Sequence, residues 1–246
     1  MNSKILRYGI FSLFLNVLML NFVFADDVKN DDKYHKNVDA DTSYAFGVLM
    51  GADLKQFSLQ FDYDAFMQGF KNAMDGNEKI SDAEALPIVQ NTIDAALDEL
   101  AAINLEKGEA FLAANRKKKG INITASGLQY QVISEGKGEK PKTHGVVTVD
   151  YEGTLIDGTV FDSSYKRGKP AEFPIEQVIP GWTEGIQLMK AGSHYKFFIP
   201  SNLAYGEREI GDGIIPANSV LIFDVKLLGV DNTERVSDNK KDEFDD

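Results

Sequence analysis

Six short blocks between Val146 and Val230 decide how this chain folds: Val-Asp-Tyr-Glu-Gly (149–153), Gly-Thr-Val-Phe-Asp-Ser-Ser (158–164), Val-Ile-Pro-Gly-Trp-Thr-Glu-Gly (178–185), Leu-Ala-Tyr-Gly (203–206), Gly-Ile-Ile-Pro (213–216) and Leu-Ile-Phe-Asp-Val (221–225). Apolar residues alternate in and around them, at Leu128, Tyr130 and Val132, at Val147, Val149 and Tyr151, at Tyr195, Phe197 and Ile199, and at Leu221, Phe223, Val225 and Leu227. A period of two puts one set of side chains on one face of a strand, so these runs predict half-buried strands. Gly136, Gly138, Pro141 and the Asp157-Gly158 pair supply turns between them. Only Trp182, Ile186 and Met189, at i, i+4 and i+7, give a helical pattern in this half. A twisted antiparallel sheet wrapped on one short helix follows, an α+β arrangement.

Upstream the period changes. Phe46, Met50 and Leu54 recur every four residues, and Thr42 or Ser43 stands where the implied helix needs a cap. Gly47 and Gly51 lie one turn apart on a neighbouring stripe, a spacing that permits another helix to approach without requiring it. Phe61, Phe66 and Phe70 imply a second helix, ending at Asp75-Gly76-Asn77. Ser81-Asp82-Ala83-Glu84 is a capping-box pattern opening a third, where Pro87 is tolerated because it comes early. Leu86, Val89, Ile93, Ala96, Leu100 and Ile103 continue that helix, whose composition persists to about Lys119. The apolar stripe is dense to Leu105 and sparse beyond Gly108, so the first half is expected to pack on other helices and the second to be a solvated strut. The basic run Arg116–Lys119 and Gly120 suit a helix end, and residues 121–126 read as a junction. Two arrangements of the helices stay open: packing against partner helices, or a compact bundle within one chain.

A formal net charge of −12 argues against nucleic acid, whose phosphates need a basic face. Lys4 and Arg7 precede an apolar run from Ile10 to Val23, followed by Ala25 and then Asp26 and Asp27. This is the pattern of a secretory signal peptide, and the run is short for a stable membrane span. Cleavage there removes two positive charges and leaves about −14. With no cysteine, the chain has no disulfide, thiol nucleophile or thiolate metal site. The expected organisation is a signal peptide at 1–25, a flexible acidic segment at 26–41, a helical region with a long linker helix at 42–120, the sheet domain at 121–230 and a disordered acidic tail at 231–246.

His35, His144 and His194 sit in no metal-ligand spacing and beside no nucleophile, and Gly136-Lys137-Gly138 lacks phosphate-loop spacing. Hydrolytic, metal and nucleotide chemistry therefore have no visible apparatus, and no cofactor or metal is expected. What remains is a concentration of aromatics. By spacing alone these read as the filling of a small core rather than the lining of a pocket.

In order and content the six blocks resemble the FKBP-type peptidyl-prolyl cis-trans isomerases. With the helical segment in front, the whole chain is similar to the macrophage infectivity potentiator and FkpA-like subgroup. The resemblance implies an exported isomerase and chaperone, periplasmic or at the outer membrane or cell surface of a bacterium, and a homodimer formed through residues 42–105. It places Trp182 at the floor of a pocket walled by Tyr151, Phe161, Val178, Ile179 and Phe223. It further implies that Tyr205 offers its hydroxyl and Ile179 its backbone N–H to substrate, that Asp162 polarises the twisting amide, and that Ile214 and Ile215 cover the entrance. Proline-containing unfolded or partly folded polypeptides are the implied partners, with macrolides such as FK506 as inhibitors. Two departures stand out: Ala171 replaces a pocket aromatic of the small single-domain relatives, and Glu207–Asp212 is one residue longer. The alternative reading is a holdase or surface adhesin and virulence factor in which isomerisation is incidental.

Overall fold

A computed structural model describes residues 37–55, 57, 59–211 and 213–233. The expected signal peptide, most of the acidic segment and the tail from residue 234 lie outside the described residues. The chain divides into two compact units, one ending at Glu99 and the other beginning at Leu100.

In the first unit, α1 (Ala40–Lys55) is opened by Asp39, whose carboxylate accepts the Thr42 N–H at 2.7 Å. The cap is thus Asp39, and Thr42 and Ser43 fall in the first turn; a carboxylate there also meets the positive end of the helix dipole. In α2 (Tyr63–Asp75), Asp62 accepts from the Asp64 and Ala65 N–H groups at 3.0 Å each, and Gly76 closes the helix at φ 64°. Phe61 precedes this helix rather than belonging to it. Its ring meets Phe66 edge-on at 5.8 Å, the hydrophobic staple that fixes the entry of the chain. The long α3 (Asp82–Asn115) begins with one half of the expected capping box, Ser81 donating its N–H at 2.9 Å and its hydroxyl at 2.8 Å to the Glu84 carboxylate, while the Glu84 N–H donates to the Ser81 carbonyl at 3.0 Å. Helix α2 buries none of its residues, and Tyr44, Phe46, Leu49, Phe70, Met74, Leu86 and Ile88 are all exposed. Of the two arrangements the sequence permits, the compact intramolecular bundle is therefore not formed by the described residues.

The second unit is a seven-stranded antiparallel sheet: β1 (Ile121–Ile123), β2 (Gln129–Ser134), β3 (Val146–Thr154), β4 (Val160–Ser163), β5 (Ala171–Pro174), β6 (His194–Ile199) and β7 (Leu221–Asp231). The spatial order is β1-β2-β6-β7-β3-β4, and β5 pairs with β3 beside β4. Along β3 alternate residues are buried, so Val147, Val149 and Tyr151 face the core, joined by Tyr195, Phe197 and Ile199 from β6 and Leu221, Phe223, Val225 and Leu227 from β7. Between β4 and β5 lies a single turn, α4 (Ser164–Arg167). Across the core face lies α5 (Pro180–Leu188), which buries Trp182 and Ile186.

Two of the expectations do not hold. Residues 121–123 are not a junction but the edge strand β1, paired with β2. The end of α3 is not a solvated strut: from Leu100 onward it lies on the sheet unit. Asn104 donates to the Ala217 carbonyl at 3.1 Å, the Phe111 and Phe198 rings stand 6.1 Å apart, and buried Asn115 donates to Gln129 at 3.0 Å while Gln129 donates to the Leu112 carbonyl at 2.9 Å. At Gly108 an added Cβ would sit 2.8 Å from Val220 Cγ2, so only glycine permits this approach. Apart from Phe111, small and polar residues make the contact, which is why no continuous apolar stripe announces it. The helix ends at Asn115, four residues short of Lys119, because Asn115 is committed to Gln129 and the chain must turn into β1.

Candidate active site

Helix α5 sets the position of everything else. Pro180, with its fixed φ and missing N–H, starts the helix where that N–H has no partner to lose. Gly181 and Gly185 face the sheet: a Cβ on the first would lie 2.4 Å from Ile199 Cγ2, and on the second 2.7 Å from the Phe197 ring. The two glycines let the helix descend far enough for Trp182, 4% exposed, to become the base of a cavity. Three rings meet the indole nearly perpendicularly, Tyr151 and Phe223 at 5.1 Å and Phe173 at 5.5 Å. Edge-to-face pairs each contribute roughly 0.5–1.5 kcal/mol beyond burial, so the cup is stiff without substrate. Its cost is the buried Trp182 indole N–H, which has no hydrogen-bond partner among the described residues.

The cavity measures about 650 Å³ and is open on one side. All ten residues singled out from the sequence line it: Tyr151, Phe161, Asp162, Val178, Ile179, Trp182, Tyr205, Ile214, Ile215 and Phe223. Their dispositions differ. Ile214 is 55% exposed at the rim, whereas Ile215 is only 6% exposed and holds the base of its loop through paired backbone bonds with Ile210 at 3.0 and 3.1 Å. Ile215 is therefore wall and not cover. Ile179 precedes the first turn of α5, and among the described residues its N–H donates to nothing. Likewise, no hydrogen bond among the described residues occupies the Tyr205 hydroxyl. One N–H and one O–H thus remain available to a ligand.

Phe173, Gln177, Pro180, Ala204, Arg208 and Ile210 also line the cavity. Phe173 corrects the expectation drawn from Ala171. Ala171 pairs with Val149 and does not reach the cavity, while Phe173, two residues on along the same strand face, packs against Tyr151 and Trp182. The wall is consequently filled and not widened. Arg167, on α4, is likewise hidden from sequence reasoning, because its role depends on a turn that brings it back over Tyr151.

Apart from Arg208 at the wall, charge in the cup is confined to one cluster. Asp162 accepts hydrogen bonds from the Tyr151 hydroxyl and the Arg167 guanidinium, and from the Ser163 N–H at 2.8 Å. Arg167 also donates to the Tyr151 hydroxyl at 2.9 Å and lies over its ring. Burial alone raises the Asp162 carboxyl, but the bonds from Tyr151 and Arg167 outweigh it and hold it below the usual carboxylate range. Burial, reinforced by Asp162 and opposed by Arg167, pushes the Tyr151 phenol up to about 12. Asp162 is thereby kept an anion and Tyr151 a donor to it. Among the described residues no three His, Asp or Glu side chains converge on a metal-sized site.

Two family models match: residues 137–228 fit the FKBP-type peptidyl-prolyl cis-trans isomerase, and residues 39–132 the domain amino-terminal to it. The chain is 45% identical over 221 residues to the FKBP-type peptidyl-prolyl cis-trans isomerase FkpA of Aeromonas hydrophila, covering 84% of this chain and 81% of that protein. It is 44% identical over 196 residues to the outer membrane protein MIP of Legionella longbeachae, covering 76% of this chain and 84% of that one. Among solved structures, the crystal structure of FkpA from Escherichia coli superposes with a TM-score of 0.63 at 38% identity, over 81% of this chain and 99% of that chain.

Proposed function

This chain belongs to the FKBP-type peptidyl-prolyl cis-trans isomerases, and from that membership we propose that the cup over Trp182 is where it turns the X–Pro bonds of unfolded or partly folded polypeptides. The observation that carries the reading is a solvent-open aromatic cavity with one unused N–H and one unused O–H at its wall. Rotation about an X–Pro bond needs no proton transfer; its barrier of about 18–20 kcal/mol comes from amide resonance. The planar amide is more polar than the twisted one, so a water-poor aromatic wall disfavours the former relative to the latter. Trp182 seats the prolyl ring, the Ile179 N–H and Tyr205 hydroxyl hold flanking carbonyls, and Asp162 presents a fixed anion to the twisting bond. An acceleration of about 10⁴-fold needs roughly 5.5 kcal/mol, within reach of one buried ring and two directed hydrogen bonds. A macrolide such as FK506 is expected to compete for the same cup.

Two measurements test this. Tyr205→Phe is expected to lower kcat/KM about tenfold, the value of one hydrogen bond to a bound substrate carbonyl, and to do so mainly through KM. Because Asp162 is held low and Tyr151 is pushed up to about 12, kcat/KM for a prolyl peptide should stay constant within about twofold from pH 5.5 to 8.5. Full activity in the Phe variant would remove Tyr205 from the site, and a bell-shaped profile would show that a titrating group takes part in the rotation.

The apolar side chains left exposed on α1, α2 and the start of α3 support a second copy of the chain as their cover, through residues 42–105. Any of that surface the pair leaves uncovered would suit binding of non-native clients, and so a chaperone activity. Analytical ultracentrifugation should return twice the chain mass, and Phe46→Glu with Leu49→Glu should return the chain mass with kcat on a short peptide within about twofold. The leader pattern at 1–25 and the outer-membrane relative favour an exported protein.

A further inference from the structure

The loop that completes the cup, residues 206–218, is pinned by the Ile210–Ile215 backbone pair and, where its two ends meet, by Asn218. Asn218 donates its backbone N–H to the Gly206 carbonyl at 2.8 Å, immediately after Tyr205. It is the one described non-glycine residue with positive φ, at 59°, a conformation that costs asparagine little. Its side chain leaves the loop and donates to the Ala101 carbonyl on α3 at 3.2 Å. Asn104, one turn further along α3, answers by donating to the Ala217 carbonyl at 3.1 Å. Two residues beyond Asn218, Val220 lies so near Gly108 that a Cβ there would meet its Cγ2 at 2.8 Å. The loop so closed carries Arg208, Ile210, Gly211, Ile214 and Ile215 into the cavity wall.

From this geometry we infer that Asn218 is a positioning residue and that the 100–115 stretch of α3 holds the Tyr205 end and the rim of the cup in binding geometry. The loop closes on itself through Gly206 and Asn218, and in addition it is tied to a helix lying outside the sheet. The tie acts through hydrogen bonds to main-chain carbonyls at both ends, so it sets backbone position and not merely side-chain packing. Its chemical effect falls on substrate capture, because Trp182, Asp162 and Ile179 are held by other elements. The inference rests on the assignment of the cup as the isomerase site.

The full chain with Asn218→Gly tests it, since glycine keeps the positive φ and loses only the bond to Ala101. Gly108→Val tests it from the other side by forcing α3 away from Val220. Each is expected to raise KM for a prolyl peptide about fivefold with kcat within about twofold, and to speed hydrogen exchange of the 206–215 amides. The double variant should be no worse than either single one, because both cut the same tie. Asn218→Asp retains the φ but opposes a carboxylate to the Ala101 carbonyl, and should behave like the glycine variant. Unchanged KM in the folded single variants, unchanged exchange in the loop, or effects that simply add would overturn the inference. Exchange does not depend on the reaction, so faster exchange with unchanged KM overturns the catalytic consequence, while the loss or survival of activity in Tyr205→Phe reports separately on the site itself.

Discussion

Trp182→Ala is expected to lower kcat/KM toward prolyl peptides about 100-fold and to cost about 3–5 kcal/mol of stability. The first figure comes from the substrate. A prolyl ring seated on the indole removes three or four CH₂ groups from water at about 0.8 kcal/mol each, and without the floor that burial is lost in ground and transition states alike. The second comes from the protein, because Trp182 is the common neighbour of Tyr151, Phe173 and Phe223. A small part returns, since the unpartnered indole N–H leaves with the ring. Trp182→Leu separates the two effects: it retains most of the packed volume, so the domain stays folded by circular dichroism, yet it offers no flat face. The Leu variant should lose at least tenfold in kcat/KM. If it folds and turns over substrate at the parent rate, the indole is core filling and the cup lies elsewhere.

How far the chain discloses this site depends on the length over which each signal is written. The β3, β6 and β7 runs are six residues or longer, enough for alternation to show which face is buried. The spacing Trp182, Ile186, Met189 likewise fills more than one turn of α5, and so its buried face is legible. By contrast β4 and β5 have four residues each and β1 three, too few to distinguish a period of two from chance. Phe173 escapes the sequence for a related reason: whether residue 171 or 173 reaches the cavity depends on where β5 lies along β3, a pairing that local pattern does not contain. The seating of α3 is hidden because, beside the single ring of Phe111, Asn104, Gly108 and Asn115 make it, and an asparagine whose hydrogen-bond partner is remote in the chain looks the same as a solvated one. The ten cavity residues named from the sequence owe their identification to the family resemblance, and composition alone leaves them indistinguishable from core.

Asp162→Ala should lower kcat/KM by more than tenfold, and its comparison with Asp162→Asn says why. In the parent the carboxylate does two things at once. It presents a negative charge to the cavity, and it fixes Tyr151 and Arg167, the first a wall of the cup and the second a cation lying over the Tyr151 ring. Asparagine keeps an acceptor for the Tyr151 hydroxyl but removes the charge, so a loss equal to that of alanine assigns the effect to charge. Recovery to near the parent rate assigns it to fixing Tyr151 and Arg167, and ends the polarising role. Stability supplies an independent check on the same group. Its folded pKa is depressed, so its contribution is present above the unfolded value near 4 and is lost as pH falls through the lowered folded value. The parent should therefore lose more stability than either variant between about pH 4 and pH 2 in urea titrations, and the three should run parallel from pH 5 to 8. With the side chain 41% exposed the difference will be screened by salt, which makes low ionic strength the condition in which to look. Parallel curves down to pH 2 would mean that Arg167 and Tyr151 do not hold the carboxylate in its charged form, and the fixed anion on which the twisting step relies would be gone.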